Sequence, residues 1–501
     1  MLFKNPVIRG FNPDPSICRV GDDFYLVTST FEFFPGIPVY HSKNLVNWEM
    51  VSHCLDENEN LPLEGSVPSG GLYAPTIRYN NGTFYVICTN VTNMTNFIVH
   101  TDNPCGKWSK PVKIDHIGID PSLFFDDDGK CYFCGTTVRD GVWGVGIDIA
   151  QINPDTGEFL SEKHFIKGCG GKSPEAPHIY KRGGYYYLML AEGGTEYGHM
   201  VTMQRSRNVF GPYEPCPFNP ILSHKDKYSE IQATGHADIV EDQNGNWWAV
   251  FLGIRANGFL HHLGRETFLA PARWNGDGWF EIGNNKTIEA EMDAPLPAKP
   301  EDVSFDFEDD FCCEKLRPEW TFVRNPEKGN YVLSGGKLIM RGTNKDLGSF
   351  NVSPTFMGIR QPENNIEAYT KLKADFSCGS KAGMTAFYNQ DYYYAIYLTK
   401  HGRKYEVCLN KAVHDINVVT NCAEVDCDGV IEFKIKADKE KYYFYYKTSN
   451  SDWTLLGTAL TAGLATEGTH MMTFTGTFIG LYAYECTAEF DCFKLKTNTR
   501  E

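Results

Sequence analysis

The sequence has no long apolar run and no segment rich in lysine or arginine. No hydrophobic stretch approaches the roughly 18 residues that a membrane-spanning helix needs, so no membrane partner is expected. The 63 acidic residues outnumber the 47 basic ones, and the formal net charge is −16. Because a polyanion requires a basic patch, this composition argues against a nucleic-acid partner.

An export signal and a metal-binding cysteine pattern are also missing. The first residues, MLFKNPVIRGFNPDPS, contain neither a long apolar segment nor a small-residue cleavage site. The 16 cysteines are scattered, mostly within apolar strand-like runs, and we expect them to be reduced and buried. Cys131 and Cys134 form an isolated C-x-x-C inside one apparent strand, which favours side chains on two strand faces over a metal or redox site. These features predict a cytoplasmic protein.

Helical periodicity is scarce in the first three hundred residues, and a repeat takes its place. Five segments share a small-residue or proline step, an aliphatic residue, a polar or Gly-containing turn and an aromatic-rich strand. They start at Asp14-Pro15, Ala74-Pro75, Asp120-Pro121, Ala176-Pro177 and His236-Ala237. Turns such as Asn-Gly, Asp-Gly and Gly-Gly predict β-hairpins. A period of about 46 to 60 residues suits the four-stranded blades of a propeller.

The sequence therefore predicts an all-β protein with two domains. Residues 1–290 are expected to form a five-bladed β-propeller, since ring closure protects the strand edges. Residues 290–303 read AEMDAPLPAKPEDV and are predicted to be a linker. Beyond them, segments such as GKLIMRG and KYYFYYKT predict a separate β-sandwich over residues 304–501.

Charged residues occupy equivalent places in the repeats. Asp14, Asp120 and His236 share one repeat position, and Glu175 lies one residue before it in the fourth copy. First strands of successive blades line the central channel, so these side chains are expected to face one shared space. A buried cluster of like charges is costly unless it has a function. Paired carboxylates hydrolyse glycosides, one protonating the leaving oxygen while the other activates water or attacks. A third acid nearby raises the pKa of the proton donor.

Several spaced motifs carry a family resemblance. The stretches GFNPDPSI, GIDPSLFFDDDGK and SPEAPHIYKRGGYYYLMLAEGGT resemble the three acidic blocks of glycoside hydrolase family 43. YAPTIRY, GHADIVEDQNGNWW and LGRETF resemble further blocks of its β-xylosidase and α-L-arabinofuranosidase members. FTGTFIGLYAYE resembles the concanavalin-A-like (jelly-roll) β-sandwich that follows the propeller in those enzymes.

The resemblance implies roles for the three acids. Asp14 matches the general base that activates water, and Glu175 matches the general acid. Asp120 matches the third carboxylate, which tunes the acid and orients the substrate. The family inverts the anomeric configuration, which implies roughly 6.5–9.5 Å between the carboxyls of Asp14 and Glu175. No cofactor is required, because the three acids suffice.

The resemblance also implies binding residues. Arg265 matches an arginine that holds sugar hydroxyls, and Phe31 and Tyr73 match aromatic walls of the pocket. Many members have Trp at the position of Tyr73, which leaves the choice of sugar open. Phe474 of the sandwich is expected to close the pocket. His236 matches a histidine associated with a divalent cation (Ca²⁺) in the propeller channel, although one His plus waters is a poor metal signature and a hydrogen-bonded channel histidine is the alternative.

These features predict an inverting exo-glycoside hydrolase. It is expected to release terminal β-D-xylose, and also α-L-arabinofuranose, from xylo-oligosaccharides or arabinoxylan fragments. One alternative is a dedicated α-L-arabinofuranosidase or arabinan-cleaving enzyme. Others are a non-catalytic carbohydrate-binding propeller and a structural propeller, both of which leave the three acids unexplained. The partner is thus an oligosaccharide substrate, and a homo-oligomer is left open.

Overall fold

The computed structural model describes residues 1–139, 141–449 and 451–497, and nearly all of their regular structure is β-strand. Helices in these ranges are limited to two short 3-10 turns, Thr461–Leu464 and Thr466–Gly468. No helix in these ranges has the length and apolarity needed to cross a membrane. The all-β prediction is confirmed.

Five antiparallel sheets, here called blades 1 to 5, follow one another along the chain, each with four strands in sequence order. Blade 1 contains Ser16–Val20, Asp23–Val27, Gly36–Ser42 and Glu49–Leu55. Blade 2 contains Thr76–Asn80, Thr83–Asn90, Thr95–Thr101 and Val112–Ile114. Blade 3 contains Ser122–Phe125, Cys131–Arg139, Val142–Ile152 and His164–Ile166. Blade 4 contains Glu175–Arg182, Tyr185–Glu192, Met200–Ser206 and Glu214–Pro215, with Leu222–Ser223 added beside the third strand. Blade 5 contains Ile231–Glu241, Trp247–Arg255, Glu266–Trp274 and Phe280–Ile282.

The predicted hairpin turns join the first two strands of the blades. In blade 2, Asn81 has a φ of 48° and Gly82 a φ of 89°. A two-residue turn of this kind needs left-handed backbone at both positions, which is why Asn-Gly pairs mark it in a sequence. The local turn chemistry thus sets the register of the strands that follow.

The first strands of the blades close a ring around a common axis. Each contacts the first strand of the next blade, and that of blade 5 contacts that of blade 1. Asp238 of blade 5 is buried at their junction and accepts hydrogen bonds from the Ser16 hydroxyl (2.6 Å), the Arg78 guanidinium (2.7 Å) and the Tyr180 hydroxyl (2.6 Å). One carboxylate therefore ties blades 1, 2 and 4 to blade 5.

Two larger sheets form the predicted sandwich. One has the order Phe356–Arg360, Phe478–Tyr484, Lys381–Asn389, Tyr392–His401, Lys404–Val413, Ile416–Val425. The other has the order Tyr331–Leu333, Leu338–Arg341, Thr487–Thr497, Ile366–Asp375, Val430–Ala437, Lys441–Lys447, Thr454–Leu460, with Phe307–Asp309 also on Thr487–Thr497. Buried side chains of both sheets share one core, including Leu398 and Phe433.

The cysteine prediction is wrong in two respects. Cys408 and Cys422 face each other on neighbouring antiparallel strands, with 4.3 Å between their Cα atoms, and form a disulfide. Their pairing depends on strand register, which cysteine spacing alone does not reveal. Cys131 and Cys134 are free and buried in one strand, as predicted. Four other free cysteines are exposed rather than buried: Cys105, Cys312, Cys313 and Cys378.

Short strands tie the two halves of the chain together. Phe33–Phe34 pairs with Phe322–Val323, so the propeller and the sandwich share backbone hydrogen bonds. Within the predicted linker, Glu291–Asp293 is itself a strand and pairs with Leu2–Lys4 at the start of the chain. A buried aromatic cluster also crosses the boundary; its members include Phe11, Phe31, Phe33, Phe356 and Phe478.

Candidate active site

Left-handed backbone marks the shared repeat position at the start of the first strands. Asp14, Asp120, Ala176 and His236 have φ values of 55°, 51°, 49° and 51°. L-residues with side chains adopt this conformation rarely and at a cost of about 1–2 kcal/mol each. Four such residues in register show that the bend belongs to the repeat, and strain of this kind concentrates at functional sites.

The structure brings all eight predicted site residues to one pocket of about 200 Å³. They are Asp14, Phe31, Tyr73, Asp120, Glu175, His236, Arg265 and Phe474. Sequence reasoning did not single out several further lining residues: Lys172, Ser173, Thr195, Glu196, His199 and Met472. Ser173 and Thr195 had a signal that pointed to them, since they are the two end residues of the third acidic block.

Asp14 is held as an ionised carboxylate. It is 4% exposed, and its two oxygens accept hydrogen bonds from the Ser29 hydroxyl (2.5 Å) and the Arg265 guanidinium (2.9 Å). Burial acts to raise the pKa of Asp14, but Arg265, His236 and the Ser29 hydrogen bond outweigh it and lower the pKa below its ordinary value. An ionised carboxylate is what a general base requires.

Glu175 has the opposite electrostatic character. It begins the first strand of blade 4, where the register shifts between Glu175 and His178. Such an irregularity re-aims a side chain at the end of a strand. Burial, followed by the negative charge of Asp14, raises the pKa of Glu175 to about 7, although Arg265 and Lys172 oppose the rise. A carboxylic acid that keeps its proton close to neutral pH suits a general acid.

Asp120, like Glu175, is held in its neutral form by its surroundings. It is 7% exposed, and burial raises its pKa well above the ordinary value, with further contributions from the charges of Glu175 and Asp14. Arg265 and a hydrogen bond with the backbone of Ala176 oppose this rise. A negative charge on Glu175 would thus disfavour ionisation of Asp120.

Arg265 contacts the acids more closely than the sequence suggested. Beyond its bond to Asp14, its guanidinium donates to the Thr195 hydroxyl (3.0 Å) and to the carbonyl oxygen of Phe474 (3.3 and 3.4 Å). The sequence predicted a residue that holds sugar hydroxyls. The structure adds a second task, because the same group stabilises the negative charge of Asp14 and anchors a segment of the sandwich.

Three aromatic rings form one side of the pocket. The ring centroids of Phe31 and Tyr73 are 5.1 Å apart, those of Phe31 and Phe474 are 5.6 Å apart, and those of Tyr73 and Phe474 are 5.9 Å apart. The backbone N–H of Phe474 donates to the hydroxyl of Ser69 (2.9 Å), which fixes the sandwich residue against the propeller. Rings of this kind pack against the C–H faces of sugars.

His236 sits beside the base but does not complete a cation site. Its Nδ1 lies 3.5 Å from Asp14, and burial lowers the pKa of the imidazole, which favours the neutral ring. In the described ranges, His236 does not belong to any close group of three His, Cys, Asp or Glu ligand atoms. The side chains around His236 therefore do not fit a protein-built Ca²⁺ site, which needs several oxygen ligands.

Comparison with known proteins follows the same division of the chain. The model of the family "Glycosyl hydrolases family 43" matches residues 3–280, and that of the "Beta xylosidase C-terminal Concanavalin A-like domain" matches residues 308–496. The chain belongs to glycoside hydrolase family 43. It is therefore an enzyme that hydrolyses O-glycosyl bonds, and the predicted family, fold class and enzyme class are confirmed.

Members of family 43 similar to this chain differ in their named activities. A non-reducing end α-L-arabinofuranosidase of Bacteroides ovatus is 43% identical, covering 96% of this chain and 91% of that protein. A xylosidase/arabinosidase of Butyrivibrio fibrisolvens is 35% identical, covering 96% of both. The solved xylan β-1,4-xylosidase of Bacillus halodurans is 31% identical and has a TM-score of 0.92, covering 99% of this chain and all of that one.

Proposed function

We propose that the protein is an inverting exo-glycosidase that releases terminal β-D-xylose, and also α-L-arabinofuranose, from short oligosaccharides. The observation that carries this proposal is the opposed ionisation of two carboxyls in one pocket. Asp14 has a lowered pKa and Glu175 a pKa raised to about 7. At a pH between these two pKa values, Asp14 is ionised and can act as a base, whereas Glu175 is protonated and can act as an acid, as glycoside hydrolysis demands.

The proposed reaction assigns one task to each acid. Glu175 donates its proton to the oxygen of the leaving sugar while the glycosidic bond breaks. Asp14 takes a proton from a water molecule, whose oxygen bonds to the anomeric carbon from the opposite face. Asp120, in which burial and neighbouring charges disfavour ionisation, orients the substrate. None of these steps uses a metal ion.

The shape of the pocket supports action on chain ends. The acids lie in a small pocket of about 200 Å³. Phe474 from the sandwich lies beside Phe31 and Arg265 on one side of this pocket, since the three groups are in contact. A pocket of this size accommodates a terminal sugar more readily than the interior of a chain.

Exclusive action on α-L-arabinofuranosides is the second candidate. By the family resemblance, Tyr73 stands where many members have Trp, so the wall against the sugar is narrower by one ring. The α-L-arabinofuranosidase of Bacteroides ovatus is also 43% identical to this chain. The two sugars share much of their hydroxyl arrangement, which is why one pocket can accept both.

Steady-state kinetics on two aryl glycosides test the proposal. We expect the wild type to turn over aryl β-D-xylopyranoside and aryl α-L-arabinofuranoside, with the ratio of kcat/KM reporting the preferred sugar. Glu175→Ala is the control, and its kcat/KM should fall by a factor of about 10² to 10⁴ because general acid catalysis is lost. For substrates with very good leaving groups, kcat/KM of Glu175→Ala should fall less, because their leaving oxygen needs less protonation.

The outcomes separate the candidates. A strong preference for the arabinofuranoside favours the dedicated arabinofuranosidase with the same mechanism. Absence of turnover on both aryl glycosides, on xylo-oligosaccharides and on arabinan would support a carbohydrate-binding propeller instead. Unchanged turnover by Glu175→Ala would refute the acid assignment.

We also propose that the enzyme acts in the cytoplasm on imported oligosaccharides. Fourteen of the described cysteines are free thiols, a state typical of a reducing compartment, although Cys408 and Cys422 are paired. Cell fractionation with activity assays tests this location, and activity confined to the culture medium would contradict it.

A further inference from the structure

An apolar side chain stands at the mouth of the pocket. Met472 lines the pocket together with the acids, yet it is 61% exposed, whereas Asp14 and Asp120 are 4% and 7% exposed. The acids therefore lie at the inner end and Met472 at the open end. If a terminal sugar fills the inner end, the remainder of the substrate extends past Met472.

The backbone that carries Met472 is firmly held. Hydrogen bonds fix its neighbours on both sides: Thr469 Oγ1 to the carbonyl oxygen of Met471 (2.7 Å), Tyr388 OH to Thr473 Oγ1 (2.8 Å) and the Phe474 N–H to Ser69 Oγ (2.9 Å). Ser69 belongs to the propeller, so this segment of the sandwich is fixed relative to the acids. A side chain on such a backbone is presented at a defined place, which favours binding because little order has to be imposed.

The chemistry of the mouth suits a sugar. Methionine is unbranched and polarisable, and it adapts to irregular apolar surfaces such as the C–H face of a pyranose ring. Lys172 and Glu196 are exposed and line the same pocket, where they offer a hydrogen-bond donor and acceptors for hydroxyl groups. Together they provide an apolar contact flanked by polar groups of both signs.

We propose that Met472 binds the leaving group, namely the second sugar unit of an uncharged pentose oligosaccharide. The sandwich then contributes twice to the site, with Phe474 against the released sugar and Met472 against the sugar that follows it. This inference rests on the proposed exo-glycosidase function. It concerns a substrate-binding residue and leaves the roles of the three acids unchanged.

Two neighbouring methionines provide a matched experiment. Met471 is also exposed, at 45%, but does not line the pocket. We compare Met472→Ala with Met471→Ala, measuring kcat/KM for xylobiose and the inhibition constant of D-xylose. An α-L-arabinofuranosyl-substituted xylobiose with L-arabinose as inhibitor gives the same comparison for arabinofuranosidase activity.

Loss of the methionine contact should lower kcat/KM of Met472→Ala about fivefold to tenfold, mainly through a higher KM. Inhibition by the monosaccharide, which fills only the inner end, should stay within about twofold of the wild type, since its contacts are retained. Met471→Ala should match the wild type in both measurements, and Met472→Leu should restore most of the loss.

Three results would overturn the proposal. Equal kinetics for Met472→Ala and Met471→Ala would show that the mouth contact is absent. Equal loss of disaccharide turnover and monosaccharide inhibition would place the effect at the inner end. A wild type that cleaves neither disaccharide nor aryl glycoside would refute the proposed function, and this inference with it. If the wild type is active, either of the first two results refutes only the role of Met472.

Discussion

Neighbours decide what each carboxyl of the pocket does. Asp14 and Glu175 are chemically similar groups placed a short way apart in one buried site. The Arg265 guanidinium and the Ser29 hydroxyl donate hydrogen bonds to the Asp14 carboxylate, so its negative charge is stabilised. Glu175 receives no comparable donor, and burial together with the charge of Asp14 keeps it protonated to about pH 7. Acid and base are thus assigned by environment.

A bell-shaped pH profile follows from these pKa values. Ionised Asp14 is needed, and its pKa lies below the ordinary value of about 4, so kcat/KM should fall only on strong acidification. Protonated Glu175 is also needed, so kcat/KM should fall as the pH rises through about 7. Measurement of kcat/KM from pH 3 to 9 tests this. An alkaline limb that begins only above about pH 8.5 would contradict the assignment to a carboxyl with this pKa.

Arg265 should control the acid limb of that profile. Arg265→Met removes the charge that lowers the pKa of Asp14, so the acid limb should move to higher pH and kcat/KM should fall about 10² or more. Arg265→Lys keeps the positive charge but loses the fork of donors, so its acid limb should stay closer to that of the wild type. An unmoved acid limb in Arg265→Met would confine this arginine to sugar binding.

Stereochemistry is the residue-scale check of the water-activating role. If Asp14 activates water instead of attacking carbon, an aryl β-D-xyloside should release α-D-xylose first. Proton NMR during the first minutes of hydrolysis, before mutarotation, distinguishes the two anomers. Initial release of the β anomer would show a covalent intermediate and would contradict inversion.

At the scale of the elements, the first strands of the blades do two jobs. The left-handed residues Asp14, Asp120 and His236 lie in or just before these strands and line the pocket. The same strands carry the buried polar junction around Asp238. This carboxylate has a lowered pKa: burial acts against ionisation, but Arg78 and its other hydrogen-bond donors outweigh it. Catalytic geometry and ring closure therefore depend on the same five strands.

Loss of the Asp238 carboxylate should weaken the ring strongly. Asp238→Ala leaves the Arg78 guanidinium buried without its partner, which costs about 3–5 kcal/mol in comparable cases. We expect a lower melting temperature by calorimetry. The double variant Asp238→Ala/Arg78→Met should recover part of the loss, since the unpaired charge is gone. A melting temperature equal to that of the wild type would show that the junction does not stabilise the propeller.

At the scale of the whole molecule, the sandwich completes the propeller. It supplies Phe474 to the pocket, strand Phe322–Val323 to an interdomain sheet and rings to a shared aromatic cluster. Glu363 of the sandwich also pairs with Arg255 of blade 5 (2.6 Å). Strand pairing and a buried aromatic core join the two domains more firmly than the small, polar interfaces typical of independent domains.

Separation of the domains should therefore abolish activity. Residues 1–290 expressed alone expose Phe31 and Phe33 and lose Phe474, which supplies one ring of the aromatic wall and the carbonyl partner of Arg265. We therefore expect aggregation, or a soluble protein whose kcat/KM is lower by a factor of about 10² or more. Calorimetry of the full chain should show one transition. Full activity of the isolated propeller would contradict the structural role assigned to Phe474.

Sequence alone determined the features that repetition controls. Equivalent residues of a repeat occupy equivalent places, so the repeat by itself predicts that Asp14, Asp120, Glu175 and His236 converge. The sequence also predicts the hairpins, because an Asn-Gly turn demands a backbone conformation that few other residue pairs accept. The family resemblance added Arg265 and the aromatic residues, which no local pattern reveals.

Tertiary structure alone decided the contacts between segments that are distant along the chain. Ser69 and Phe474 are 405 residues apart in sequence, yet their hydrogen bond positions the sandwich against the pocket. Met472, Thr195 and the Cys408–Cys422 pair likewise depend on domain docking or strand register. A sequence encodes local turns and periodicity directly, whereas such contacts arise only when ring closure and docking bring distant surfaces together.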